Sequence, residues 1–384
     1  MDRNARILIS GAGIAGLTAS IWLSRAGFRP LIVEKAPKIR ADGFIITLSA
    51  HCYHLAREMG ILDDLVALNN RIKGSSYHDR SGRAVLELDY DRLFEEGRAV
   101  QIMRDDLESV LYAHAKSGAN FLFANSVSKI EQNGEEVLVG FDDGHEQAFD
   151  IVIGADGLHS RVRQLAFADG EVIKHRLGLQ AAAFRCPNVL GLTHKYEAYM
   201  EPNRHTIVYT TRTNELACIF IWKNDEVGVP PEGQGRLDHL SDAFEGADPR
   251  SRKLIESRGP GDRVYMEALT QIEMASWRKG RVCIVGDGAH CLTQLSGQGA
   301  SMAIAGASAL ARALIEQSPD EAFAQYDAAI RPIVSQLQPA TRDNAKWYVP
   351  GGVPFHLLRV SAMRFLPNEL WVRYFKSKYS KARA

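Results

Sequence analysis

Ile7-Leu8-Ile9-Ser10-Gly11-Ala12-Gly13-Ile14-Ala15-Gly16 sets a short apolar strand directly before a glycine turn that opens an apolar helix. The helix is expected over residues 14–26, and Gly27 can end it in a left-handed conformation. Leu31-Ile32-Val33 gives a second strand, closed by Glu34, 18 residues beyond Gly16. Strand, G-x-G-x-x-G turn, helix and a second strand ending in an acid make up the dinucleotide-binding β-α-β unit. Gly11 permits the sharp turn, Gly13 lets phosphate approach bare backbone, and Gly16 lets helix and strand pack closely. The helix start at Ile14 and Ala15 offers free N–H groups and a positive dipole end to a pyrophosphate. Glu34, with Lys35 beside it, is placed to meet the adenosine ribose.

This fingerprint does not separate FAD from NAD, but two later segments do. Ile151-Val152-Ile153 runs into Gly154-Ala155-Asp156-Gly157, with Ser160 and Arg163 one and two helical turns further on. Val282-Cys283-Ile284-Val285 runs into Gly286-Asp287-Gly288-Ala289-His290 and then Gly297-Gln298-Gly299-Ala300. An acid at the carboxyl end of a parallel strand lies in the crevice where open α/β sheets bind ligands. The competing role for Asp156 is to cap the helix that follows it. Asp287 is placed to accept a hydrogen bond from a ribityl chain. Gly297, Gln298, Gly299 and Ala300 open a buried helix whose N-terminus would face the flavin N1 and C2 carbonyl. A chain that returns three times to one crevice is expected to wrap a single extended dinucleotide, FAD.

The remainder is consistent with a two-layer enzyme. The 384 residues suffice to bury a sizeable cofactor, and 46 basic against 46 acidic residues give no global field toward nucleic acid or an anionic membrane. The tail carries Arg373, Lys376, Lys378, Lys381 and Arg383, read as a solvated helix face. Cys52, Cys186, Cys218, Cys283 and Cys291 form no C-x-x-C pair and sit among apolar neighbours, which points to a reducing, cytoplasmic setting. No signal peptide, membrane span or metal-ligand cluster is expected. Residues 77–88 read as a hairpin turning at Asp79-Arg80-Ser81-Gly82, and residues 121–123, 127–132 and 137–141 as a meander. After Glu34 the chain is expected to leave the simple Rossmann repeat through Gly43-Phe44-Ile45-Ile46-Thr47-Leu48, followed by a helix near 52–59 and a strand into a helix at Gln101-Ile102-Met103-Arg104. Residues 178–271 alternate with period two, broken by a helix at 237–258, and Ser318-Pro319-Asp320-Glu321 caps a helix running toward Gln338. The expected architecture is α/β. A discontinuous Rossmann-like FAD domain (1–72, 98–176, 273–340) joins an antiparallel substrate domain (73–97, 177–272) and a C-terminal helical segment (341–384).

Taken in order and at these separations, the three motifs resemble those of the group A flavin monooxygenases, the para-hydroxybenzoate hydroxylase type. The resemblance runs from about Arg6 to Pro339. It implies that the Asp156-Gly157 motif touches FAD and a passing NADPH, that Asp287 serves ribityl and pyrophosphate, and that Arg104, in an R-x-x-L turn with Leu107, contacts FAD. It further implies NADPH or NADH as reductant, O2 as co-substrate, and hydroxylation of an aromatic or polyketide-like molecule through a C4a-hydroperoxyflavin. Ala268-Leu269-Thr270-Gln271-Ile272, Ser276-Trp277-Arg278-Lys279-Gly280-Arg281 and the small helix at Ala303-Ile304-Ala305-Gly306-Ala307 look most like the tetracycline-inactivating branch. Gln294, where a proline usually stands, and Trp222, near a substrate arginine of some relatives, depart from that pattern.

The cofactor carries the bond-making chemistry, so no catalytic side chain is assigned. Tyr209, Phe220 and Trp222 are the candidate substrate lining, each also explicable as core. His290 beside Cys291 lacks the third orienting group of a hydrolase. Other outcomes on the same fold are a non-hydroxylating flavin oxidoreductase, such as a halogenase or a polyprenyl reductase, and a non-catalytic flavin-binding protein. A halogenase would carry Trp-x-Trp-x-x-Ile, which this chain lacks. An NAD-dependent dehydrogenase leaves Asp156 and Asp287 unexplained. The chain is compatible with a monomer or a homodimer.

Overall fold

The computed structural model describes residues 2–39, 44–94, 99–225, 228–259 and 262–380, without the side chains of residues 50 and 378–380. Gly43 of the stretch that leaves the Rossmann repeat, and Lys381 and Arg383 of the basic tail, lie outside the described residues. Arg373 and Lys376 are exposed.

The fold is mixed α/β. Its main sheet has six strands in the order Arg278–Lys279, Val282–Ile284, Ile151–Gly154, Ile7–Ser10, Leu31–Glu34, Asn120–Phe123. All pairings are parallel except the first. Ile7, Leu8 and Ile9 are at most 1% exposed, because helices cover both faces and continuous apolar runs are what a parallel sheet requires. Each such side chain contributes roughly 1.5–3 kcal/mol by leaving water. The helices Ile14–Arg25 and Gly299–Glu316 pack against each other on this sheet.

The second layer is a seven-stranded sheet in the order Tyr265–Met274, Val172–Pro187, Glu215–Lys223, Arg204–Thr210, Lys195–Glu201, Gly74–His78, Ala84–Asp89. It is antiparallel except where Lys195–Glu201 meets Gly74–His78. Period-two alternation gives it two different faces. Leu216, Cys218, Phe220 and Trp222 pack with Leu240, Phe244 and Leu254 of the helices Gln234–Ala243 and Pro249–Glu256. Ala217, Ile219 and Ile221 share the other face with Ile207, Tyr209, Leu269 and Leu295. That second face looks toward the loops of the parallel sheet.

Three sequence expectations are corrected. Asn120–Phe123 is not part of the meander; it pairs with Leu31–Glu34, and the three-stranded meander is Val127–Gln132, Val137–Phe141 and Glu146–Phe149. The expected helix at 237–258 is two helices, Gln234–Ala243 and Pro249–Glu256. The break falls where Asp248 accepts the Arg250 N–H at 2.9 Å and Pro249 takes the first helical position. The Ser318 helix does not stop at Gln338 but runs to Tyr348 through Pro332 and Pro339. Proline costs a helix interior about 3 kcal/mol. Tertiary bonds offset that here: the Gln338 side chain donates to Ile272 O at 2.6 Å, and Gln271 Nε2 donates to Gln338 O at 3.2 Å. The reciprocal bonding of Ser318 and Glu321 at its start is present, Ser318 Oγ to Glu321 Oε2 at 2.6 Å.

Candidate cofactor and substrate site

Four neighbouring parallel strands deliver their carboxyl ends to one crevice. Val282–Ile284 leads to Asp287, Ile151–Gly154 to Asp156, Ile7–Ser10 to the glycine turn, and Leu31–Glu34 ends in Glu34 itself. The ladder carries on past the strands, with Gly11 N–H donating to Val33 O, Ala155 N–H to Ser10 O, and Val285 N–H to Gly154 O, at 2.7–2.9 Å. The loops are therefore rigidly tied at their roots.

The three fingerprint glycines differ in what excludes a side chain. A Cβ on Gly11, at φ +106°, would lie 2.5 Å from Ala155 O, and one on Gly16 would lie 2.0 Å from Gly11 O. Protein backbone demands those two glycines. Gly13 is different: its backbone is ordinary (φ −85°, ψ −173°) and its Cβ would meet only Glu108 Oε1, at 4.0 Å. Nothing in the protein needs a glycine there, and the vacated face lies at the start of Ile14–Arg25, which no side chain caps. The buried helix Gly299–Glu316 likewise begins without a side-chain cap. An open helix start beside a glycine that no protein atom requires can take an anionic ligand on its free N–H groups, so the residues present fit an anionic dinucleotide.

Glu34 is held at the edge of the turn, its Oε2 accepting from Ala12 N–H and its Oε1 from Ala36 N–H, both at 2.9 Å. Lys35 is exposed beside it. Asp156 does what the competing reading foresaw: its Oδ2 accepts from the N–H groups of Arg161 (2.7 Å) and Val162 (3.0 Å), capping Arg161–Ala166. Oδ1 nevertheless stays buried without a hydrogen bond, which leaves one oxygen for a ligand. Arg163 is a strut. It is 2% exposed and donates to Gly288 O and Leu158 O, both at 2.7 Å, so the Asp156 and Asp287 loops are bonded together.

Asp287 sits beside a set of ionisable groups from two other segments. Arg104 starts the helix Arg104–Ala115 at the end of Ala99–Met103, and its Nε donates to Glu108 Oε1 at 3.1 Å. Tyr265 donates its hydroxyl to Glu267 on Tyr265–Met274, and its ring meets Phe44 edge-on at 5.3 Å. Burial raises the Asp287 carboxyl, opposed by the Arg104 guanidinium. Glu267 is raised by burial and by the charge of Asp287, with Tyr265 and Arg104 opposing. Sequence reading missed Glu267 and Tyr265. The available signal was polar residues on the Tyr265, Glu267, Gln271 side of an otherwise apolar strand.

Since burial penalises charged Glu267, its contribution to apo stability is complete below the ordinary carboxylate range and is lost as pH rises through the raised value. Glu267→Gln should therefore gain stability relative to the parent as pH rises above the ordinary carboxylate range. Urea denaturation of both apo proteins from that range upward checks this, and a difference that is flat or shrinks with pH contradicts it.

The loop between Asp287 and the buried helix is strained. Thr293 is β-branched yet has φ +68°, its Oγ1 and Gln294 Oε1 are buried without partners, and residues Gln294–Ser296 form a 3₁₀ turn. Such outliers persist where the surroundings over-determine them, typically at ligand clamps.

The expected substrate lining divides. Tyr209 is fully buried on the face toward the crevice, its hydroxyl accepting the Ile45 N–H at 2.6 Å. Phe220 and Trp222 project from the opposite face into the helix-covered core, Trp222 edge-on to Phe244 at 6.0 Å, and do not line this crevice. His290 is buried, 3.3 Å from the Tyr326 hydroxyl, and burial lowers it to about 4, a packing role. All five cysteines are free and buried, and the described residues hold no group of three potential metal ligands and no helix able to cross a membrane.

A crevice of this construction defines a flavoprotein of the FAD-binding α/β type. Residues 4–341 match the family described as "FAD binding domain". A flavin-dependent monooxygenase of Legionella longbeachae is 33% identical over 344 residues, covering 88% of each chain. The tetracycline destructase Tet(51) superposes with a TM-score of 0.82 at 26% identity, over 97% of this chain and 98% of that one. Klebsiella pneumoniae HpxO, solved with FAD and uric acid, shares the fold at TM-score 0.85 and 20% identity, over 98% and 97%. The chain belongs to the FAD-binding family of flavin-dependent monooxygenases, and its cofactor is FAD.

Proposed function

We propose that this enzyme consumes NAD(P)H and O2 to hydroxylate an electron-rich aromatic or polyketide-like molecule, with tetracyclines as a candidate class. The open face at Gly13, joined to the uncapped helix starts on either side, carries the reading. Residues 1–72, 98–176 and 273–340 would hold the cofactor, 73–97 and 177–272 floor the substrate pocket, and 341–384 brace that floor. When bound, FAD supplies two-electron reduction and activation of oxygen.

The chain's own residues bind and orient. Gly11, Gly13, Ile14, Ala15 and Gly16 cradle the pyrophosphate, Glu34 and Lys35 meet the adenosine end, and Asp287 takes the ribityl hydroxyls. Asp156 with Gly157 offers its remaining oxygen to the cofactor. Arg104 balances Glu108 and Asp287 so that neither acid repels the ligand's phosphates. Gly297, Gln298, Gly299 and Ala300 aim the buried helix's positive end at the flavin ring. Tyr209 and Tyr265 wall the pocket, and the apolar face around Leu269 and Leu295 excludes water that would divert the reaction to peroxide.

Asp287→Ala is expected to weaken FAD by on the order of 1–3 kcal/mol, about 5- to 150-fold in Kd, through lost hydrogen bonds to a charged acceptor. Flavin-fluorescence titration measures it, and an unaltered curve moves Asp287 to a purely structural role. For the reaction itself, NADPH and NADH oxidation are followed with tetracyclines, phenolic acids and quinolones while peroxide is monitored. Substrate-dependent oxidation with little peroxide supports hydroxylation. Turnover that no compound stimulates, or that ends wholly as peroxide, favours a non-hydroxylating or non-catalytic flavoprotein.

A further inference from the structure

A small, partly open cavity lies between the seven-stranded sheet and the helices Val353–Phe365 and Asn368–Ser380. Its volume is about 90 Å³. Ser75, Tyr196 and His205 line it from three adjacent strands, Tyr348 from the end of the long helix, Arg359 and Trp371 from the two C-terminal helices.

Four of the side chains that line this hollow carry buried polar atoms without a partner. Ser75 Oγ, both ring nitrogens of His205, Arg359 Nε and Trp371 Nε1 are buried and make no hydrogen bond. The residues are 4%, 2%, 1% and 7% exposed, respectively. Native structures leave few buried polar groups unpaired, and here four side chains from four elements do so around one space. Arg359 reaches only neutral groups: Nη1 donates to Trp347 O and Tyr348 O, and Nη2 lies 3.4 Å from His356 Nδ1. Among the described residues no acid forms an ion pair with it. Burial lowers its guanidinium to about 10, and the same charge helps depress His205 and His356.

The chemistry of the walls selects the occupant. An arginine N–H and an indole N–H can only donate, and the serine hydroxyl and imidazole can donate as well, so the occupant must accept. An uncompensated buried cation calls for negative charge, which water does not supply. The space is smaller than the roughly 150 Å³ cavity that admits benzene and is equivalent to about three waters. We propose that this cavity is a site for a small monovalent anion, of halide to acetate size, which fastens the two C-terminal helices to the sheet. The site adjoins the pocket floor, since Tyr196 stacks on Tyr209 with ring centroids 6.4 Å apart. It does not depend on the hydroxylase reading.

Thermal unfolding is measured during titration with bromide, nitrate or acetate, ionic strength being held with a sulfonate too bulky to enter. The expected result is a saturable rise in Tm on the order of 2–4 °C for the parent, absent in Arg359→Met. Trp371→Phe keeps the charge and loses one donor, so its midpoint concentration should rise several-fold; it carries the test if Arg359→Met fails to fold. A bromide-soaked crystal should show an anomalous peak within hydrogen-bond distance of Arg359 Nε. Equal responses in parent and variants, or only water in the cavity at saturating bromide, would overturn the proposal.

Discussion

Gly13→Val should yield a folded but colourless protein, with FAD affinity lowered at least about 100-fold, or roughly 2.7 kcal/mol. The reasoning rests on what the residue touches. Its dihedrals are open to any residue and a Cβ added there would face only Glu108 Oε1, at 4.0 Å, so the added side chain starts from open space and not from a clash with backbone. The branched side chain instead fills the approach to the first N–H groups of Ile14–Arg25, where a pyrophosphate must touch backbone. Circular dichroism and a Tm matching the apo parent establish the fold, and flavin titration gives the affinity. Undiminished FAD binding would remove the glycine turn from the cofactor site.

Gly16→Ala is expected to do the reverse, costing the fold itself about 3 kcal/mol or more. The added carbon would sit 2.0 Å from Gly11 O and 3.2 Å from Ile9 Cγ2, atoms of the turn and the central strand. Helix and sheet must separate, and Ile14–Arg25 is packed over most of its length against that sheet and Gly299–Glu316. Urea denaturation of the apo protein measures the loss. A variant as stable as the parent would show that the helix can shift without cost. Two glycines three residues apart thus separate ligand contact from packing, a difference the G-x-G-x-x-G pattern does not display.

The parallel layer was legible because its signals are local. Continuous apolar runs at residues 7–10, 151–154 and 282–284 require a sheet covered on both faces. Glycine at or just after the end of each run, joined by Asp156 after the second and Asp287 after the third, marks the carboxyl-end crevice. The alternation of the second layer was equally plain, but it states only that neighbours oppose one another. It could not say which side the helices Gln234–Ala243 and Pro249–Glu256 would cover, and so Phe220 and Trp222 were grouped with Tyr209. Pro339 misled for a related reason: propensity is a property of the segment, whereas the bonds of Gln338 to Ile272 and Gln271 come from a distant strand.

By itself, then, the sequence determined the dinucleotide fold, the three returns to one crevice and the family of the enzyme, since each depends on backbone freedom and burial within a few consecutive residues. Only the tertiary structure decided that Arg163 bonds the Asp156 and Asp287 loops together, that Glu267 and Tyr265 join Arg104 beside Asp287, and that Arg359 is buried without a counter-charge. Those facts are distances between segments far apart in the chain, and electrostatic coupling and hydrogen bonding depend on separation in space, which no spacing along the chain encodes.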